Sequence, residues 1–179
     1  MQNIRPYKSK SPILAPSCYV DTMAVVTGDI ELAENVSIWP FVVARGDVNK
    51  IRIGKNSNVQ DGSILHVSRK SEVNPDGYPL IIGEDVSIGH KCTLHGCTIG
   101  DRVMVGIGAI VLDGVVVESD VLIAAGSLVP PRKRLESGFL YMGNPARKAR
   151  PLKEAEIAYL NKTASKYVEL KNDYLDGMQ

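Results

Sequence analysis

A step of six residues organises most of this chain. From Leu14 it lands on Val20, Val26, Leu32 and Ile38, then after a break on Ile53, Val59 and Leu65, and after a second break on Ile82, Ile88 and Leu94. One five-residue step reaches Ile99, and the six-step resumes at Val105, Val111, Val117, Ile123 and Val129. Every position is Ile, Leu or Val. A second track, four residues after the first, is nearly all small or β-branched: Cys18, Ala24, Ile30, Val36, Val42, Ser57, Ser63, Val86, Cys92, Thr98, Val103, Ala109, Val115, Val121 and Ser127. Period six matches neither a helix nor a plain strand. It matches a β-solenoid, in which each hexad is one short strand and one corner. The first track points inward, and the second turns the corner. Gly54, Gly83, Gly89, Gly100 and Gly106 directly follow inward residues, where little side-chain room or an unusual φ is expected. A parallel α/β protein is the alternative for buried strands, but no amphipathic helix separates them between Leu14 and Val129.

Three hexads per coil make a triangular prism whose coils stack about 4.8 Å apart. The stretch Ser68 to Pro79, "SRKSEVNPDGYP", reads as a surface loop, with Asn-Pro and Asp-Gly as turn signals. The tail changes period: Leu160, Ala164, Tyr167 and Val168 are at helical spacing, predicting a helix over about Leu152–Leu175 packed on the prism. No good N-cap residue precedes it. The expected organisation is one domain, all-β apart from that helix. Residues 1–150 form the solenoid with its loop at 68–80, and residues 151–179 form the helix and tail.

Composition narrows the function. The chain has 179 residues, 23% charged, with a formal net charge of +1, which argues against a large basic face for nucleic acid. No apolar run reaches the ~20 residues of a membrane span. The N-terminus has no signal-peptide core. Three cysteines in a chain of this size predict reduced thiols and a cytoplasmic protein.

The chain has three histidines. His66 directly follows Leu65, and His95 directly follows Leu94. If Ile53, Val59 and Leu65 begin faces one, two and three of one coil, Ile82, Ile88 and Leu94 begin the same faces of the next. His66 and His95 then stack outward on face three, close enough to grip one ion. His90 stands on face two and reaches such a pair only from a neighbouring subunit. The expectation is an intersubunit metal site with His66 and His95 from one chain and His90 from the next, three sites in a closed trimer. Three imidazoles leave a fourth position open, as in catalytic zinc sites. Cys92 and Cys97 are competing ligands, but Cys92 lies on the corner track, where a buried thiol is expected. Gln60 and Asp61 follow Val59, Asp61 occupies the same hexad place as His90, and Asn58 precedes them at a turn. Arg45 and Asp47, in "ARGDV", fall at the first break, where they can form bidentate pairs across a subunit contact.

The segments "RGD", "NVQDGSILH", "GHKCTLHGCTIGDRVMVGIGAIVLDG" and "GNPARKAR" resemble the γ-class carbonic anhydrase-like proteins along essentially the whole chain, nearest a bacterial branch of that family. The resemblance implies a left-handed parallel β-helix and a homotrimer with a metal at each interface. The metal is zinc, with iron or cobalt also competent, and its ligands fall on His66, His90 and His95. The interface pair falls on Arg45 and Asp47, and the polar site residues on Asn58, Gln60 and Asp61. A tyrosine from the C-terminal helix falls on Tyr167, for which core packing is the other reading. The implied reaction is reversible hydration of CO2 to bicarbonate, since a bound metal brings the pKa of water to about 7. Two departures imply slow proton export: Val48 stands where the archetype has a glutamate, and Glu72 is the only glutamate of the 68–79 loop. Alternatives on the same scaffold are a metal-dependent thioesterase, an acetyl-CoA-dependent hexapeptide acyltransferase, and a non-catalytic metal- or siderophore-binding trimer.

Overall fold

The computed structural model describes residues 3–177. The last two residues of the expected tail lie outside that range. The chain forms a parallel β-solenoid closed by one C-terminal helix. The six-step residues face inward: Val59, Leu65, Ile88, Leu94, Val105, Val111 and Ile123 are completely buried. Face two stacks Tyr19–Val20, Ser37–Ile38, Asn58–Val59, Ser87–Ile88, Met104–Val105, Leu122–Ile123 and Phe139–Gly143 in that order. Its register keeps Val59, Ile88 and Val105 level with one another. Faces one and three belong to a single 12-stranded sheet, because Val25–Leu32 and Val43–Ile53 run around the corner between them. Inward β-branched side chains at matched heights fill the narrow prism layer by layer, the packing these residues favour on a pleated surface.

The corner track is buried almost throughout, with one correction. Thr98 is exposed, and its place is taken by Cys97, which is 1% exposed. The five-residue side between Leu94 and Ile99 omits one residue, so Cys97 stands two before Ile99 as Cys92 stands two before Leu94. The glycines after inward residues also resolve. Their φ values are ordinary, and the left-handed residues come two positions later, at Asn56 (φ 58°) and Asp85 (φ 56°). What Gly54 provides is room: a Cβ there would lie 2.5 Å from the carbonyl oxygen of Gly83 on the next coil. That neighbour is backbone and cannot swing away. Gly54→Ala is therefore expected to lower stability by about 1–3 kcal/mol or somewhat more, read as a lower urea midpoint with an unchanged slope. An unchanged midpoint would show that the coils separate easily.

The three outward faces differ. Face two is covered by the helix Glu154–Asp176, which buries Leu160, Ala164 and Lys171. Trp39 takes the rings of Tyr167 and Tyr174 edge-on, at 5.6 and 5.1 Å between centroids. The helix begins two residues later than predicted. Ala146–Pro151 instead pairs antiparallel with Phe139–Gly143 and caps the prism, and the Leu152 amide donates to the Gly138 carbonyl. The missing N-cap is replaced from within the first turn: the Glu156 carboxylate accepts the Lys153 amide and both terminal guanidinium nitrogens of Arg150. These donors hold the Glu156 carboxyl down at about 2. Face one is charged, with Arg52 bridging Asp29 and Glu31. Face three is apolar and bare: Val25, Val43, Ile64, Ile110 and Leu128 stand outward in one register, interrupted by Thr93. Val43 is 38% and Ile64 47% exposed. No helix of the described residues is long and apolar enough to cross a membrane.

Candidate metal centre

The register places His66 level with His95 on adjacent strands, Ile64–His66 and Thr93–His95. Each follows a completely buried leucine, so the pleat directs both rings outward. Nδ1 of His66 lies 3.0 Å from Nε2 of His95, with ring centroids 5.0 Å apart. The other nitrogen of each ring meets a carboxylate: Nε2 of His66 is 3.1 Å from Asp47, and Nδ1 of His95 is 3.0 Å from Asp113. Four consecutive coils thus carry a file of Asp47, His66, His95 and Asp113.

The chemistry of this file tests the metal expectation. An ionised carboxylate can only accept, so each aspartate calls for an N–H from its imidazole. With both rings neutral, the lone pairs of His66 Nδ1 and His95 Nε2 then face each other across 3.0 Å, which is repulsive without a cation. Two nitrogens bound at 2.0–2.1 Å to one tetrahedral ion stand about 3.4 Å apart, close to the spacing present. Carboxylates behind ligating imidazoles are the usual outer partners of such sites. The pair therefore fits a divalent metal. Burial pushes the His66 ring below its ordinary pKa, the charges of Arg45 and His95 push the same way, and Asp47 opposes them only in part. His66 is thus neutral near pH 7, the form that ligates. Burial alone would raise the Asp47 carboxyl, but hydrogen bonds from Arg45 and His66 outweigh it and hold it below its usual value.

His90 stands apart from this pair, with its Nδ1 3.0 Å from the Asp61 carboxylate one coil earlier. Among the described residues of one chain, no three His, Cys, Asp or Glu side chains converge into a metal site. Arg45 and Asp47 pair with each other within the chain. Asn58 lies within a strand, not at a turn, and is completely buried. It donates to Ser87 at 2.8 Å and accepts from Gln60 at 3.1 Å. Gln60, 5% exposed, donates its amide to Asn58 and lines the cavity beside it. That cavity, of ≈ 440 Å³, lies between helix and face two, lined by Gln60, His90, Met104, Leu122, Tyr159 and Tyr167. Tyr167 packs on Trp39 and also lines this cavity. Burial, then Asp61, raises its hydroxyl pKa. The thiols are not competitors for metal. Cys92 and Cys97 are buried at corners, and desolvation pushes Cys92 to about 11 and Cys97 higher still.

Sequence reasoning missed Asp113 and, on the helix-borne side of the cavity, Tyr159 and Thr163 beside Tyr167. The signal for Asp113 was present: it lies 18 residues, one full coil, after His95.

Comparison with known proteins agrees with this architecture. The family model for the bacterial transferase hexapeptide (six repeats) matches residues 96–131. Protein YrdA of Escherichia coli is 56% identical over 173 residues, covering 97% of this chain and 94% of that protein. Gamma carbonic anhydrase 1, mitochondrial, of Arabidopsis thaliana is 44% identical over 161 residues, covering 90% of this chain and 58% of that longer protein. The crystal structure of a hexapeptide transferase family protein from Anaplasma phagocytophilum superposes with a TM-score of 0.89 at 38% identity, covering 96% of this chain and 97% of that one. With these relatives and the hexad repeat, the chain belongs to the hexapeptide-repeat family that includes YrdA and the γ-class carbonic anhydrases.

Proposed function

We propose that the chain works as a homotrimer that hydrates CO2 reversibly to bicarbonate at three intersubunit metal sites. Each site would take His66 and His95 from one subunit and His90 from the next. The observation that carries this reading is the converging pair of lone pairs on His66 and His95, each ring braced by its own aspartate. The bare apolar file on face three supports the trimer, because it runs directly beside the histidine pair and suits burial against a second copy. Zn2+, or Fe2+ or Co2+ in its place, would supply the Lewis acidity that brings water to a pKa of about 7. The protein's own groups do the rest. Asp47 and Asp61 accept hydrogen bonds from the outer ring nitrogens of His66 and His90, and Arg45 offsets the charge of Asp47. Gln60 presents its carbonyl oxygen to orient the attacking water. The apolar walls around Met104 and Leu122 exclude bulk solvent. With Val48 beside the RGD segment, the released proton leaves through solvent and buffer.

Stopped-flow CO2 hydration on metal-quantified protein tests this. Turnover is expected to follow metal content, to vanish after chelation, to return with Zn2+, and to rise with buffer concentration. A fully loaded trimer with no turnover would end the hydration reading. One observation favours a second reading: a cavity of ≈ 440 Å³ with mostly apolar walls is far larger than CO2 requires. A metal-dependent thioesterase would use that space for an acyl chain, and acyl-CoA hydrolysis by the loaded protein would favour it.

A further inference from the structure

Asp113 had no part in the expected site, yet several features converge on it. It stands at the corner after the strand Ile110–Val111, one coil beyond His95. Its Oδ1 lies 3.0 Å from Nδ1 of His95 and accepts a 2.6 Å hydrogen bond from the Ser68 hydroxyl. Gly96 makes this approach feasible. A Cβ at that position would fall 2.5 Å from the same Asp113 oxygen and 2.6 Å from Cβ of Tyr78. Gly96 is also left-handed, at φ 54°, so the turn and the carboxylate both need the bare backbone. Ser68 is itself held. Its backbone exchanges hydrogen bonds with Tyr78, and the Asn49 side chain donates to the carbonyls of Ser68 and Asp76 at 3.0 and 2.9 Å. The base of the surface loop thus fixes a hydroxyl that fixes a carboxylate.

We propose that Asp113 is a positioning residue for His95. Steadied by Ser68, it keeps the proton on Nδ1 and so commits Nε2 to the metal. The inference rests on the metal-site reading above and adds to it the residue that selects the ligating nitrogen. Without Asp113 the ring is free to exchange tautomers and to rotate about its terminal torsion. Losing such an outer partner typically costs about 10–100-fold in metal affinity.

The test uses the full chain with Asp113→Ala, Asp113→Asn and Ser68→Ala. Zn2+ affinity is read by competition with a chromophoric chelator. The His95 Nδ1–H proton is read by nitrogen-15 NMR in metal-free protein. Asp113→Ala is expected to weaken Zn2+ binding by about 10–100-fold and to abolish the Nδ1–H resonance. Asp113→Asn, whose Oδ1 still accepts, should keep the resonance and recover most of the affinity. Ser68→Ala should weaken binding several-fold with the thermal midpoint unchanged. If Asp113→Ala does not fold, Ser68→Ala decides. Unchanged affinity in the folded variants, or a persistent Nδ1–H signal without Asp113, overturns the proposal. If the unaltered protein takes up no Zn2+, the metal-site reading fails, while the resonance still reports whether Asp113 sets the tautomer.

Discussion

His95→Ala is expected, on the proposed intersubunit site, to abolish tight metal binding, and CO2 hydration with it, while the protein stays folded. His95 points away from the core, and its side chain is 30% exposed, so truncation opens no cavity. Structural zinc in small peptides is bound by roughly 10–16 kcal/mol. One of three or four ligands is then worth about 2.5–5 kcal/mol, a loss of roughly a hundredfold to several thousandfold in affinity. His90→Ala should do the same, and the two defects should complement each other. In a cyclic trimer each site draws on two neighbours, so every mixed trimer of the two variants keeps one intact site. Random co-assembly of equal amounts makes three trimers in four mixed, which returns about a quarter of the unaltered metal content and activity. Neither variant alone returns any. Mixed trimers that form but bind no metal would place the site within a single chain and exclude the shared arrangement.

Ile64→Asp should have a comparably large effect from a position that is not itself a ligand. Ile64 stands outward between Val43 and Thr93 at the middle of face three. A carboxylate there must be buried without a partner if three copies meet on this face, and buried unpaired charge costs several kcal/mol per ion. Since the side chain does not enter the core, the coil itself should persist. The expected product is a folded monomer of 19.4 kDa by sedimentation, with an unchanged circular dichroism spectrum, no bound metal and no turnover. A variant that sediments as a trimer would show that the subunits meet elsewhere.

The inward positions of the solenoid were legible because a hexad repeat assigns each residue a face and a height independent of its neighbours. The stacking of His66 on His95 followed from the same ruler once the 68–79 loop was treated as a detour. Where the ruler changes step, the reading slipped: the five-residue side moved the buried corner from Thr98 to Cys97. The helix start slipped for a different reason. Ala146–Pro151 carries no hexad or helical signal, and only its pairing with Phe139–Gly143 makes it a strand. Asp113 was legible in principle, one coil after His95, but its role depends on Gly96 leaving room and on a serine far away in sequence. Of the cavity, individual lining residues such as Gln60 and Tyr167 were legible, but its shape and size were not. It lies between two elements with different periods, and no pattern within either encodes their separation.

His66 and His95 are 29 residues apart in sequence and one rung apart in space. The surplus is the excursion of the 68–79 loop, which leaves and returns at the same corner and is pinned at its base by Asn49 and by the Ser68–Tyr78 pair. Loop closure entropy grows only slowly with length, so chain added or removed at the tip, around the 96% exposed Val73, barely alters the strands on either side. The scaffold therefore offers a grafting port. Sequence can be exchanged there for a tag, a recognition peptide or a bulkier lid, while the spacing between the paired imidazoles is kept by the rungs beneath.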